Sequence, residues 1–268
     1  MTAENIITTY YENYDEKGRL SSKKTGQVEF LTTMRYIEKY LTPNSKVLEI
    51  GAGTGQYSRT IADMGHKVEA LELVPHNIHI FKEAMKPEQD IKIIQGNALD
   101  LSMYNDNQFD ITLLFGPLYH LFTDEDKHKA ISEAIRVTKL GGIIFAAYCI
   151  SDGSIIDVGF QRKLLDINDY IKREKINPGT FDTFSESEDV FELVRKQDID
   201  RLMEGYNIVE RLHYVATDML TKIMCNTIDT MDDETFALYL KYHYAICERE
   251  DMIGVTHHSL DIMRKITK

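Results

Sequence analysis

Cysteine is scarce in this chain, and its three copies, Cys149, Cys225 and Cys247, lack C-x-x-C spacing. That excludes a disulfide framework and a cysteine zinc knot, and fits free thiols in a reducing compartment. Positive charge is short too: 31 Lys and Arg face 43 Asp and Glu, a formal net charge of -12. Such a surface repels phosphate backbones on average, so a nucleic-acid partner is not expected without a local basic patch. Long apolar runs are missing. The longest, Ile143 to Ile150, is far too short to cross a bilayer, and Met1 to Glu16 has neither the basic start nor the apolar stretch of a signal peptide. A cytoplasmic chain with no membrane partner is expected. There is no H-E-x-x-H, G-x-S-x-G or phosphate-loop lysine. The nine histidines are scattered, and His257-His258, if in a strand, point to opposite faces, so no metal is expected.

With 43% hydrophobic residues over 268 positions, the chain can build one large α/β domain with a substantial insertion. Its most informative stretch is Val47-Leu48-Glu49-Ile50-Gly51-Ala52-Gly53-Thr54-Gly55-Gln56. Val47 to Ile50 suits a strand buried on both faces of a parallel sheet. The alternating glycines then permit a sharp strand-to-helix turn against which a ligand can lie, with free N–H groups on the next helix. A dinucleotide fingerprint would need a third glycine where Gln56 stands. A second strand, Lys67 to Leu73, ends in Glu72, about twenty residues after Gly51, the interval at which a carboxylate reaches ribose hydroxyls. Leu73 would then lie beside the base.

Glu49, Gly51, Gly53 and Gly55 fill the (Asp/Glu)-x-Gly-x-Gly-x-Gly pattern, and the sequence resembles the class I S-adenosylmethionine-dependent methyltransferases from Val47 to about Ile150. The resemblance implies a Rossmann-like α/β fold: a mostly parallel seven-stranded sheet with an antiparallel edge strand, helices on both faces and helical lid insertions. S-adenosylmethionine is the cofactor it implies. The expected cofactor contacts are Glu49, Gly51, Ala52, Gly53, Gly55, Glu72 and Leu73. To these the resemblance adds Asn97 and Ala98 after the third strand, where an acidic residue is more usual and Asn97 offers its amide oxygen to the adenine. Phe115 and Gly116 follow the fourth strand, Phe109 to Leu114. There, Gly116-Pro117-Leu118-Tyr119 is not the motif of base-amine methyltransferases, which points to a small-molecule acceptor. His120, with Tyr119 beside it, is the candidate general base, against the plainer reading of a structural histidine.

Residues 1–46 read as a helical cap, 47–150 as the cofactor half, 151–205 as a lid insertion, and 206–268 as the last strands with a helical insertion at 218–251. In the cap, Tyr10, Tyr11, Tyr14, Asp15 and Arg19 form a segment that either covers the cofactor, with Tyr14 touching it, or simply anchors an amphipathic helix. A helix is expected over Asp124 to Lys139, ended by Gly141-Gly142, and another over Gly159 to Lys175. Arg195 to Met203 reads as a helix, Tyr206 to Val215 as a sixth strand and Val255 to Met263 as the last. Two rival functions stay open: an RNA methyltransferase with a basic face built from Lys163, Lys172, Arg173, Lys175, Arg195 and Lys196, and a non-catalytic binder of the cofactor. The sequence does not decide between monomer and homodimer.

Overall fold

A computed structural model describes residues 2–14 and 16–267; Asp15, named above with the tyrosines, lies outside them. Strands β1 (Lys46–Ile50), β2 (Lys67–Glu72), β3 (Ile91–Gln95), β4 (Phe109–Leu114) and β5 (Thr138–Ile150) run parallel. They share one sheet with β6 (Leu193–Val194), β7 (Val209–Ala216) and β8 (His258–Lys265), in the order β3-β2-β1-β4-β5-β8-β7. The fold is the mostly parallel Rossmann-like sheet expected, with two differences in detail. A two-residue strand, β6, extends the ladder on β5 beyond the end of β4, making eight strands. The antiparallel strand is β8, which sits between β5 and the edge strand β7.

Helices α1 (Ala3–Glu12) and α2 (Lys24–Tyr40) precede the sheet, while α3 (Gln56–Asp63), α4 (Pro75–Ala84) and α5 (Asp124–Val137) connect its parallel strands. The central strands bury both faces, as crossover helices require: Leu48, Ile50, Ile111, Leu113, Leu114 and Phe145 are all essentially solvent-free. The helix expected to run to Lys139 ends at Val137. The Thr138 hydroxyl donates to the Ala134 carbonyl at 2.6 Å, and Lys139 pairs with Asp110 across β4. Lys139 to Gly142 therefore belong to β5, with Gly141 at φ +79° where the register to β4 shifts.

The segment after β5 is more broken than its amphipathic pattern suggests. A turn of helix, α6 (Ser151–Ser154), passes into a π-helix at Ile155–Gln161, and α7 (Ile167–Lys172) begins only where the Asp166 carboxylate caps the backbone N–H groups of Asn168 and Asp169. π-turns carry an extra residue per ring and recur at functional sites; this one holds Asp157 buried. Then come α8 (Lys196–Met203), α9 (Cys225–Asp229), α10 (Asp233–Ile246) and α11 (Glu250–Ile253). The sixth and last expected strands start later than predicted, at Val209 and His258. Before β8, Asp218 holds the chain by accepting from the Thr256 hydroxyl and the His257 N–H. With His257 outside the strand, the two histidine rings lie 6.3 Å apart and border the same cavity instead of opposite faces.

Candidate functional site

The turn after β1 is built from backbone, and its three glycines serve different ends. All have positive φ: +80° at Gly51, +54° at Gly53 and +80° at Gly55. A Cβ on Gly51 would stand 2.2 Å from the Phe115 carbonyl oxygen, and one on Gly55 would meet the Phe81 ring at 2.5 Å. Gly53 packs against nothing closer than Glu16, at 3.8 Å, and borders open space. Two glycines thus allow close packing, and the middle one keeps a cradle clear.

Two carboxylates fix that turn. Glu72, at the end of β2, accepts from the Gly53 N–H at 2.7 Å, from the Val74 N–H at 2.9 Å and from the Asn77 amide at 3.3 Å. Glu49 accepts from the Ser58 N–H at 3.0 Å and from the Ser58 hydroxyl, tying β1 to α3. Burial pushes the Glu49 pKa up to about 8, against the lowering effect of Ser58, and burial likewise raises that of Glu72. Ser58 and Asn77 went unnoticed in the sequence because each reads as an ordinary polar residue on a helix.

These groups line a cavity of about 660 Å³ at the carboxyl ends of β1, β2, β3 and β4, where open α/β sheets bind ligands. Glu49, Gly51, Ala52, Gly53, Glu72 and Leu73 border it, as do Asn97, Ala98, Phe115, Gly116, Tyr119 and His120. Gly55 and Tyr14 do not. Gly55 is packed beneath the turn, and Tyr14 stacks on Tyr10 at 5.4 Å and faces a second cavity. Asn97 is partly engaged: its amide oxygen accepts from the Leu99 N–H at 2.9 Å, and its NH₂ donates to Glu4 of α1 at 2.6 Å. The second lone pair of that oxygen remains for a ligand.

His120 has Tyr119 beside it, as expected, and hydrogen-bonds Tyr11. Its Nδ1 lies 2.7 Å from the Val190 carbonyl, which can only accept, so Nδ1 carries the proton. Nε2 of the neutral ring then accepts from the Tyr11 hydroxyl at 3.1 Å. Burial lowers the His120 pKa to about 4, so the ring is neutral near pH 7 and weakly basic. Val190 presents its carbonyl from a backbone at φ +66°, costly for a β-branched residue. Tyr119 touches the His120 ring edge-on, at 4.9 Å between centroids. Tyr11, one of several tyrosines in a polar stretch, had no signal in the sequence to set it apart.

Tyr11 and Tyr119 also border the second cavity, of about 680 Å³, enclosed by the start of the chain, the π-helix and the loops before β6 and β8. Phe191 sits there beside both Tyr10 and Tyr119. Behind its lining residue His258, the buried Glu29 and Asp218 bring potential metal-ligand atoms within 4.8 Å of one another and of the His258 ring. Their surroundings favour ion pairing: both Glu29 oxygens accept from Arg19 at 2.8 Å, and Lys222 stands 3.9 Å from the same carboxylate.

A family model described as a methyltransferase domain matches residues 48–146. Demethylmenaquinone methyltransferase of Renibacterium salmoninarum is 37% identical over 106 residues, 39% of this chain and 41% of that protein. Glycine/sarcosine N-methyltransferase of Aphanothece halophytica is 25% identical over 160 residues, 59% of this chain and 58% of that protein. Ribosomal RNA small subunit methyltransferase A of Leuconostoc citreum is 29% identical over 94 residues, 33% and 32% of the two chains. The chain thus spans from about a third to under two thirds of the length of these relatives. Among solved structures, phosphoethanolamine N-methyltransferase 1 of Haemonchus contortus superposes with a TM-score of 0.62 at 15% identity, over 100% of this chain and 50% of that one, a likeness of fold alone. The glycine turn, the carboxylate one strand over and the clear space beside Gly53 all lie in or against the matched stretch: residues 48–146 are similar to the methyltransferase domain, with the features of the class I S-adenosylmethionine-dependent methyltransferases.

Proposed function

We propose that the chain is an enzyme that methylates an O, N or S atom of a small molecule held in the second cavity. One observation carries the reading: the cavity at the glycine turn and the tyrosine-rich cavity behind it share Tyr11 and Tyr119 as common walls. S-adenosylmethionine, when bound, supplies an already activated methyl group on its sulfonium. The protein's part is therefore to bind, align and exclude water. The turn at Gly51 to Gly55 offers bare backbone, Glu72 keeps acceptor capacity for ribose hydroxyls beside its three bonds, and Asn97 and Ala98 line the wall proposed for the adenine. Helix α1 closes the site through Glu4 to Asn97 and Tyr11 to His120. His120 accepts a hydrogen bond from the Tyr11 hydroxyl and so leaves the phenol oxygen's lone pairs for the shared wall, where they can hold an acceptor O–H or N–H. His120 is thus proposed as a positioning residue more than as a strong base.

The relatives named for menaquinone precursors and for glycine or sarcosine favour a small acceptor. Those named for ribosomal RNA keep an RNA acceptor as the second reading. Against it stands the pairing of four of the six basic residues that would have to form its face. Arg173 pairs with Asp169 and Glu188, Lys175 with Glu186 and Asp189, Arg195 with Asp152 and Asp182, and Lys196 with Asp200. The test is formation of S-adenosylhomocysteine on adding either the ultrafiltered small-molecule fraction of a cell extract or its purified RNA. Turnover with the small-molecule fraction is expected. Turnover with RNA alone would overturn the proposal, and turnover with neither would favour the non-catalytic binder.

A further inference from the structure

Resting on the reading that the second cavity holds the methyl acceptor, we infer that this acceptor carries an oxyanion, a carboxylate or phosphate, that docks against Lys222, Arg19 and His258. The carboxylates in and around this cavity are mostly taken up by the protein's own donors. Along its wall, Asp157 pairs with Arg162 at 2.7 Å, Asp189 with Lys175 at 2.9 Å, Glu16 with Arg19 at 2.8 Å, and Asp229 accepts from the N–H and hydroxyl of Thr25. Behind the lining, the buried Asp218 accepts through Oδ1 from the Thr256 hydroxyl and the N–H groups of His257 and His258, and its Oδ2 lies 3.3 Å from His258 Nδ1. Glu29 is filled by Arg19.

The donors are not used up in the same way. Among the described residues the Lys222 ammonium has no hydrogen-bond partner; its nearest carboxylate oxygen, on Glu29, is 3.9 Å away and its side chain keeps 20% exposure. Arg19 commits Nε and Nη1 to the two glutamates and keeps Nη2. Burial by itself would strip the proton from His258, but Glu29, with Cys149 and Asp218, outweighs it and holds the imidazole pKa well above its usual value. Lys23 adds a further cation on the rim. Uncommitted N–H groups on Lys222 and Arg19, beside the His258 ring in a partly enclosed and aromatic-walled space, are what a charge-assisted oxyanion site requires. His258 lies beside Tyr119, at 6.4 Å between ring centroids, and Arg19 borders both cavities, so an anion held there stays close to the wall shared with the glycine turn.

The experiment titrates full-length protein, first saturated with S-adenosylhomocysteine, with inorganic phosphate and separately with acetate, at ionic strength held constant by chloride, using calorimetry. Saturable binding in the range of about 1–10 mM is expected. It should weaken about tenfold or more in Lys222→Gln, persist in Lys222→Arg, and be unchanged in Lys67→Gln, an exposed lysine on β2. Binding of phosphate alone would assign a phosphate group, and of acetate alone a carboxylate. No saturable response to either ion up to about 50 mM, or equal binding by Lys222→Gln, would overturn the inference. Binding of S-adenosylhomocysteine is measured beforehand in the same instrument. Its failure counts against the methyltransferase reading, while the anion titration can still be read on the free protein.

Discussion

Gly51 and Gly53 share a sign of φ yet should respond to substitution in opposite ways. Gly51→Ala drives a Cβ into the Phe115 carbonyl and should cost about 3 kcal/mol or more of stability, read as a lower melting temperature. Gly53→Arg meets only the positive-φ penalty, about 1–2 kcal/mol, but lays its side chain across the open cradle. It should stay folded and lose S-adenosylmethionine affinity by about a hundredfold or more in calorimetry. Glu49 supplies a pH signature. Its carboxyl titrates near 8 in the folded chain against an ordinary value of 4.5, so the folded state holds a proton that the unfolded state releases. Stability must therefore fall as pH rises from 4.5 toward 8 and level off above. Glu49→Gln removes this contribution, and its melting temperature should gain on that of the parent from pH 6 to 9; parallel curves would contradict the assignment. At this scale the sequence was legible where chemistry dictates residue type: glycine at a bend, a carboxylate at a strand end. It was silent where position alone matters, since nothing distinguishes Tyr11 from Tyr10 or Tyr14 until α1 docks on His120.

The elements divide the same way. Buried parallel strands with helical crossovers were readable from apolar runs and glycine turns. The break of 159–175 into a π-helix and α7 was not, because it depends on the Asp166 cap and on tertiary burial of Asp157. Helix α1 is held over the site by a few polar contacts, Tyr11 to His120 and Glu4 to Asn97 among them. Deleting residues 1–13 should leave the sheet folded, by circular dichroism, while speeding cofactor dissociation about tenfold or more. At the other end of the sheet, Arg211 on β7 donates two hydrogen bonds to the fully buried Asp261 on β8, at 2.8 and 2.7 Å. Arg211→Ala strands that carboxylate and should cost about 3 kcal/mol in chemical denaturation. Replacing both residues with leucine should recover much of the loss.

Across the whole molecule, the net charge of -12 and the pairing of Arg173, Lys175, Arg195 and Lys196 point the same way. RNA retention at low salt should be negligible, and a steep loss of RNA binding with added salt would speak for the rival acceptor. No described helix is long and apolar enough to span a membrane. The overall architecture was readable from sequence because strand period and glycine turns are local signals. The second cavity was not, since its walls come from the first helix, the insertion and the segment before β8, brought together only by the fold. The most direct test is a crystal structure of the protein with S-adenosylhomocysteine. The ribose should lie against Glu72, the amino-acid tail against Gly51 to Gly55, and the sulfur should face the wall shared by Tyr11 and Tyr119. An adenosine seated in the second cavity, or a ribose remote from Glu72, would contradict the account.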